Sequence, residues 1–233
     1  MNWNTRRSQF RQLMDTNACY YPGSVFDPIS ARIAEDLGFE LGMFAGSVAS
    51  MTVIGAPDNI TLNQSEFADQ AYRINRAGNL PLIVDADHGY GNAMNVKRTV
   101  EELETAGVAA LSIEDTLLPR AFGSGGKTSL ISVEEGVGKM KAAIAGRQDP
   151  DLVILGRTSA MSVTNTDDAI ARAVAYQEAG VDMLMMVGLK QLDQLKALHA
   201  AVSIPVMLGG TTKELMNNGI KRTDEPGDAR RRS

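Results

Sequence analysis

The chain has 233 residues, 44% hydrophobic and 22% charged, which is enough to bury a sizeable core in one barrel or one doubly wound sheet. A net charge of −5 argues against nucleic acid as a partner, because such binding rests on clustered Lys and Arg that neutralise phosphates. Cys19 is the one cysteine, which leaves neither an intramolecular disulfide framework nor a Cys-based zinc site; with no signal-peptide layout and no apolar run of membrane-spanning length, the expectation is a soluble cytoplasmic protein with no membrane partner.

In chain order, CYYPGSVFD (19–27) reads as a first strand. The segments DLGFELGMFAG (36–46), TAGVAALSIED (105–115) and EAGVDMLMMVG (178–188) then repeat one pattern. Each closes a polar, helix-forming stretch on a glycine suited to a left-handed C-cap and enters a short apolar run. Further strands are expected at PLIVDAD (81–87), DLVILGRT (151–158) and IPVMLGG (204–210), with amphipathic helices over 65–78, 95–107, 132–146 and 166–180. Strand and helix alternate seven times, which implies a parallel sheet covered by helices.

Polar residues close many of these strands: Asp27, Ser47, Asp85 and Asp87, Glu114 and Asp115, Arg157 and Thr158. An open sheet gathers its ligand contacts at one switch point, whereas a barrel brings every strand end onto one rim. The expected fold is therefore α/β, a (β/α)8 TIM-type barrel truncated after the seventh strand. It forms one domain over 1–220, and 221–233 is a polar basic tail expected to be disordered.

The stretch LPLIVDADHGYGN (80–92) holds the strongest chemical signal. Strand alternation would send Asp85 and Asp87 to one side, about 6–7 Å apart. Two like charges so close need a cation or a shared proton. With Glu114 on the neighbouring strand they make an all-oxygen set suited to Mg²⁺ or Mn²⁺. The plainer alternative makes the aspartates caps of the next helix and Glu114 half of an ion pair. His88, a lone histidine, is as well suited to a supporting or structural place as to a catalytic one. Arg157 could grip a carboxylate and neutralise an enolate, or serve an internal pair with Glu114 or Asp115. AGSVAS (45–50) offers Ser47 and backbone N–H groups, Gly46 included, to a carboxylate. FGSGGKTSLIS (122–132) could be a lid or a plain loop, and it lacks the first glycine of a P-loop.

Taken together, SVFDPISARIAEDLGFE, GSVAS, DADHGYGN, GVAALSIEDTLLP and VEEGVGK resemble the phosphoenolpyruvate mutase/isocitrate lyase superfamily, over about residues 10 to 210. Within it, IEDTLLP and the spacing of the blocks are most similar to the bacterial oxaloacetate decarboxylase branch. The resemblance implies an α/β barrel, Mg²⁺, small keto acids handled through enolates, and tetramers that exchange a C-terminal helix. It places Asp85 as the direct metal ligand, Asp87 and Glu114 on metal-bound waters, Ser47 and Gly46 at the substrate carboxylate, Arg157 on substrate and enolate, and Asp58 of GAPDN in a metal-shell or acid role. Asp58 could equally be a turn residue.

Departures from the superfamily narrow the activity. The lid has no cysteine of the isocitrate lyase type, and no Asn occurs between Glu114 and residue 165 as the phosphonomutases require. What the resemblance leaves is Mg²⁺-dependent decarboxylation of oxaloacetate to pyruvate. Against it stands the lack of the eighth strand, of the histidine that strand carries in this branch, and of the exchanged helix, which puts the homo-oligomer in question. The alternatives are another lyase or hydrolase of the superfamily acting on a related acid, or an inactive truncated paralogue.

Overall fold

The computed structural model describes residues 3–16, 18–123, 125–210 and 217. In order, the elements are α1 (Trp3–Met14), β1 (Gly23–Ser24), α2 (Pro28–Asp36), β2 (Gly42–Phe44), α3 (Gly46–Val53), α4 (Gln64–Asn75), β3 (Leu82–Asp85), α5 (Ala93–Thr105), β4 (Ala110–Glu114), α6 (Val133–Gly146), β5 (Val153–Thr158), α7 (Ala160–Val163), α8 (Thr166–Ala179), β6 (Met183–Val187), α9 (Leu192–Ala201) and β7 (Val206–Gly209). The expected tail at 221–233 lies outside the described residues, as does everything that bears on an eighth strand beyond residue 210. Among the described residues no helix is long and apolar enough to cross a membrane.

The sheet runs β1 to β7 in sequence order, with every described neighbour pair parallel. A doubly wound sheet reverses its order at a switch point; this one does not, so the architecture is that of a TIM-type barrel. The repeated α-to-β joints are built as the glycines require: Gly38, Gly107 and Gly180 sit at φ of 83°, 85° and 101°. Helix starts are set by short polar caps. Asn63, Asn92, Ser132 and Asn165 accept from backbone N–H groups of α4, α5, α6 and α8. Asp27, expected on the rim, is instead the cap of α2: its carboxylate accepts from Ser30 N at 2.7 Å, with Pro28 at the first helical position.

Strand alternation divides the side chains into two layers. Outward residues such as Leu82, Val84, Leu111, Ile113, Ile154, Leu184 and Val206 pack with the helices in one continuous core. Inward residues Ile83, Ala110, Val153, Leu155, Met183 and Met185 form a second cluster inside the barrel. Its lower end is closed by Phe10 of α1, a helix that the sequence pattern did not single out. Three arginines of α1 tie that plug to loop carbonyls: Arg6 to those of Asn75 and Gly78, Arg7 to those of Val108 and Glu104, and Arg11 to those of Pro150, Asp151 and Leu152. Those of Asn75, Val108 and Glu104 are buried, and the arginines give them donors that water could not supply.

Candidate metal and substrate site

The inward parity that fills the barrel with apolar residues continues to the strand ends with polar ones. On β3 the inward series runs Ile83, Asp85; on β4, Ala110, Ser112, Glu114; on β5, Val153, Leu155, Arg157. Register sets their neighbours, with Asp85 opposite Ser112 and Glu114 opposite Arg157. Arg157 accordingly lies between two carboxylates, hydrogen-bonded to Asp85 and 3.4 Å from Glu114. Ser112 Oγ donates to Asp85 at 2.9 Å, and Thr116 Oγ1 donates to Glu114 at 2.8 Å. Asp115, one residue on, faces the other way. It is fully buried behind the sheet, taking bonds from Arg172 at 3.0 Å and Tyr176 at 2.7 Å, so it is not a rim residue.

Asp87 reaches the same cavity by a different route from the alternation expected of it. β3 ends at Asp85, and Asp87 lies in a tight turn at φ 48°, a left-handed conformation uncommon outside glycine. Its carbonyl accepts from Glu114 N at 2.8 Å, which fixes the turn to β4. Its carboxylate lies against Gly46, where a Cβ would come within 2.7 Å of Oδ1. Gly46 is therefore a close-approach residue that gives Asp87 room. Neither aspartate caps α5; Asn92 does.

These groups line a cavity of about 460 Å³ that Ser47 and Asp58 also reach. Ser47 stands in the first turn of α3, and Asp58 on the loop before α4. Four carboxylates thus line the cavity, of which Asp85, Glu114 and Asp87 act on Arg157. Burial, with Asp85, Glu114 and Asp58 nearby, pushes the Asp87 carboxyl up to about 8. Burial also raises Glu114, although Arg157 opposes it. Arg157 in turn is pulled down by burial but held above its ordinary value by Asp85 and Glu114. His88 lies outside the cavity lining. It is buried, its ring is 6.2 Å from that of Tyr90, and burial together with Lys139 lowers it to about 4, so it stays neutral at pH 7. His199 is half-buried on α9.

Residues 10–223 match the family model described as phosphoenolpyruvate phosphomutase. The chain belongs to this family. An oxaloacetate decarboxylase of Bradyrhizobium diazoefficiens is 58% identical over 215 residues, spanning 92% of this chain and 74% of that protein. A solved phosphoenolpyruvate phosphomutase from Streptomyces platensis subsp. rosaceus superposes with a TM-score of 0.82 at 32% identity, covering 92% of this chain and 76% of that one. A phosphonopyruvate hydrolase solved with oxalate and Mg²⁺ gives a TM-score of 0.78 at 29% identity, over 87% of this chain and 71% of that one.

Sequence reasoning within the phosphoenolpyruvate mutase family missed several residues of the cavity. Thr116 lines it, and Ser112, fully buried beneath it, donates to Asp85; they stand two residues either side of Glu114, so inward parity alone would have found them. Arg120 and Thr128, on the loop after β4, and Ser159 and Ser162, around α7, also reach the cavity, and no period marks loop residues of this kind.

Proposed function

We propose that the chain is a cytoplasmic lyase that decarboxylates oxaloacetate to pyruvate and CO₂ with Mg²⁺, or Mn²⁺ in its place. The carrying observation is the charge imbalance in the cavity: Asp58, Asp85, Asp87 and Glu114 against Arg157 and the exposed Arg120, with Asp87 raised to about 8. An all-oxygen set with surplus negative charge fits a hard divalent cation. Among the described residues no three His, Cys, Asp or Glu side chains stand close enough to hold one ion together. The reading therefore gives Asp85 the direct bond and leaves Asp87 and Glu114 to hold water around the ion. Such an ion supplies Lewis acidity to the 2-oxo carboxylate end of the substrate.

The side chains divide the remaining work. Ser47, with the Gly46 backbone, meets the substrate carboxylate at the start of α3. Arg157 binds substrate and faces the negative charge that builds on the 2-oxo oxygen as CO₂ departs. Ser112 and Thr116 hold Asp85 and Glu114 in their rotamers through the bonds they donate. Asp58 stands at the cavity wall, within reach of a proton destined for the enolate carbon. No protein nucleophile is needed for this reaction, in keeping with a cavity that holds no cysteine among its described residues.

The 58% identity to a protein named oxaloacetate decarboxylase supports the choice of substrate. The test is pyruvate formation from oxaloacetate with Mg²⁺, measured for the wild type, for Asp85→Asn and for Mg²⁺ alone. Wild-type release above the metal background, abolished in Asp85→Asn, is the expected result. Equal rates in the two proteins would sink the assignment, and acetate with oxalate as products would identify a hydrolase instead.

A further inference from the structure

The loop that leaves β4 returns on itself. Thr116 bridges Leu130, Leu117 N donates to Ser129 O at 2.8 Å, and Ile131 N donates to Asp115 O at 2.9 Å. Higher on this closed base, Arg120 Nη2 donates to Thr128 Oγ1 at 3.3 Å, and both residues line the cavity that Asp85 and Arg157 line from below. The cavity therefore has two guanidinium groups of different standing. Arg157 at the floor is engaged by Asp85 and Glu114; Arg120 at the exposed rim has no carboxylate partner among the described residues.

We propose that Arg120, held by Thr128, selects for a second carboxylate on the substrate, the one at the far end from the 2-oxo group; the inference rests on the decarboxylase reading above. In the decarboxylase reading the floor, with Arg157 and its cation, takes the 2-oxo carboxylate end, which leaves the distal carboxylate nearer the rim. At the rim the guanidinium of Arg120 offers paired donors of matching geometry.

The chemistry of carbon dioxide loss gives this contact a distinctive signature. The bond between C3 and the distal carboxylate breaks, its electron pair passes to C3 and on to the 2-oxo oxygen, and the carboxylate leaves as neutral CO₂; a proton from water completes pyruvate. Negative charge thus moves away from Arg120 toward Arg157. A contact with a charge that vanishes in the transition state strengthens ground-state binding and does not speed the chemical step. Its exposed position also keeps the effect small.

The experiment is steady-state kinetics of Arg120→Ala and Arg120→Lys on oxaloacetate with Mg²⁺, together with inhibition by oxalate, which has no distal carboxylate. Arg120→Ala should raise KM about fivefold with kcat equal to or above the wild type. Its oxalate inhibition should be unchanged, and Arg120→Lys, which keeps the charge but not the paired donors, should recover only part of the KM. A fall in kcat at unchanged KM, or a parallel loss of oxalate inhibition, would overturn the proposal while leaving the decarboxylase reading intact. A wild type with no rate above Mg²⁺ alone would overturn both.

Discussion

The two ends of the barrel use the same ingredients to opposite effect. At the lower end, Arg7 pairs with Asp149 at 2.8 Å, Arg11 with Asp182 at 2.9 Å and Arg147 with Asp182 at 2.7 Å, while Glu104 accepts from the backbone of Gln148 and Asp149. Charge is matched there and the interior is plugged by Phe10. At the upper end four carboxylates line one cavity, and burial, with Asp85, Glu114 and Asp58 nearby, pushes Asp87 up to about 8. The lower end is organised for stability, while the surplus of carboxylates at the upper end is what the proposed function assigns to a divalent cation. This is the division of labour that a TIM-type barrel permits, because loops at opposite ends of the strands can change independently.

The sharpest test of that contrast compares two arginines. Arg157→Ala leaves the buried Asp85 and Glu114 without their cation and should lower stability by about 3–5 kcal/mol in metal-free denaturant melts, whereas Arg7→Ala, whose close partner Asp149 is only half-buried, should cost about 1–3 kcal/mol through the buried carbonyls it leaves without a donor. Saturating Mg²⁺ should restore much of the loss for Arg157→Ala and none for Arg7→Ala; equal rescue of the two would erase the distinction between the ends. The Arg7 penalty should also depend on acid. Burial pulls the Asp149 carboxyl up, but the bond and charge of Arg7, the Asp151 backbone N–H and the charge of Arg11 together lower it below its ordinary 3.8. Its contribution is therefore fully present above pH 3.8 and fades as pH falls through the lowered value, so the gap between wild type and Arg7→Ala should narrow there.

Next in size is the buried Asp115 behind β4. Tyr176→Phe removes one of the two bonds to the Asp115 Oδ2 atom and should cost about 2 kcal/mol, the range for a hydrogen bond to a buried charge. Since Asp115 points away from the cavity, Mg²⁺ affinity of the folded variant should stay within twofold of wild type. A large loss of affinity would mean that the back of β4 is part of the site after all. Smallest is Gly46→Ala, whose new Cβ would press on Asp87 Oδ1. Mg²⁺ affinity by calorimetric titration should drop about tenfold, an effect of the size seen when groups around a metal are displaced. An unaltered affinity would remove Asp87 from the metal's surroundings.

Much of this architecture was legible because its cause is local. The glycine that ends a helix and the apolar run that follows it need only their own neighbours, and Gly38, Gly107 and Gly180 behave as that pattern requires. Asp85, Glu114 and Arg157 were readable as strand-end residues for the same reason. The errors came where local pattern met a competing role. Asp27 satisfied a helix N-terminus, Asp115 fell on the outward parity of β4, and α1 carried arginines that mask its one core face.

What the sequence by itself determined is therefore the series of strand and helix units and the presence of carboxylates and an arginine at the strand ends, since periodicity and capping act over a few residues. The tertiary structure decided which of those groups meet. Parallel register set Glu114 opposite Arg157 and Asp85 opposite Ser112, the left-handed turn at Asp87 brought a third carboxylate against Gly46, and a loop closed on its own base carried Arg120 to the rim. Each of these depends on contacts between segments far apart in the chain, and no local preference of the residues involved specifies them.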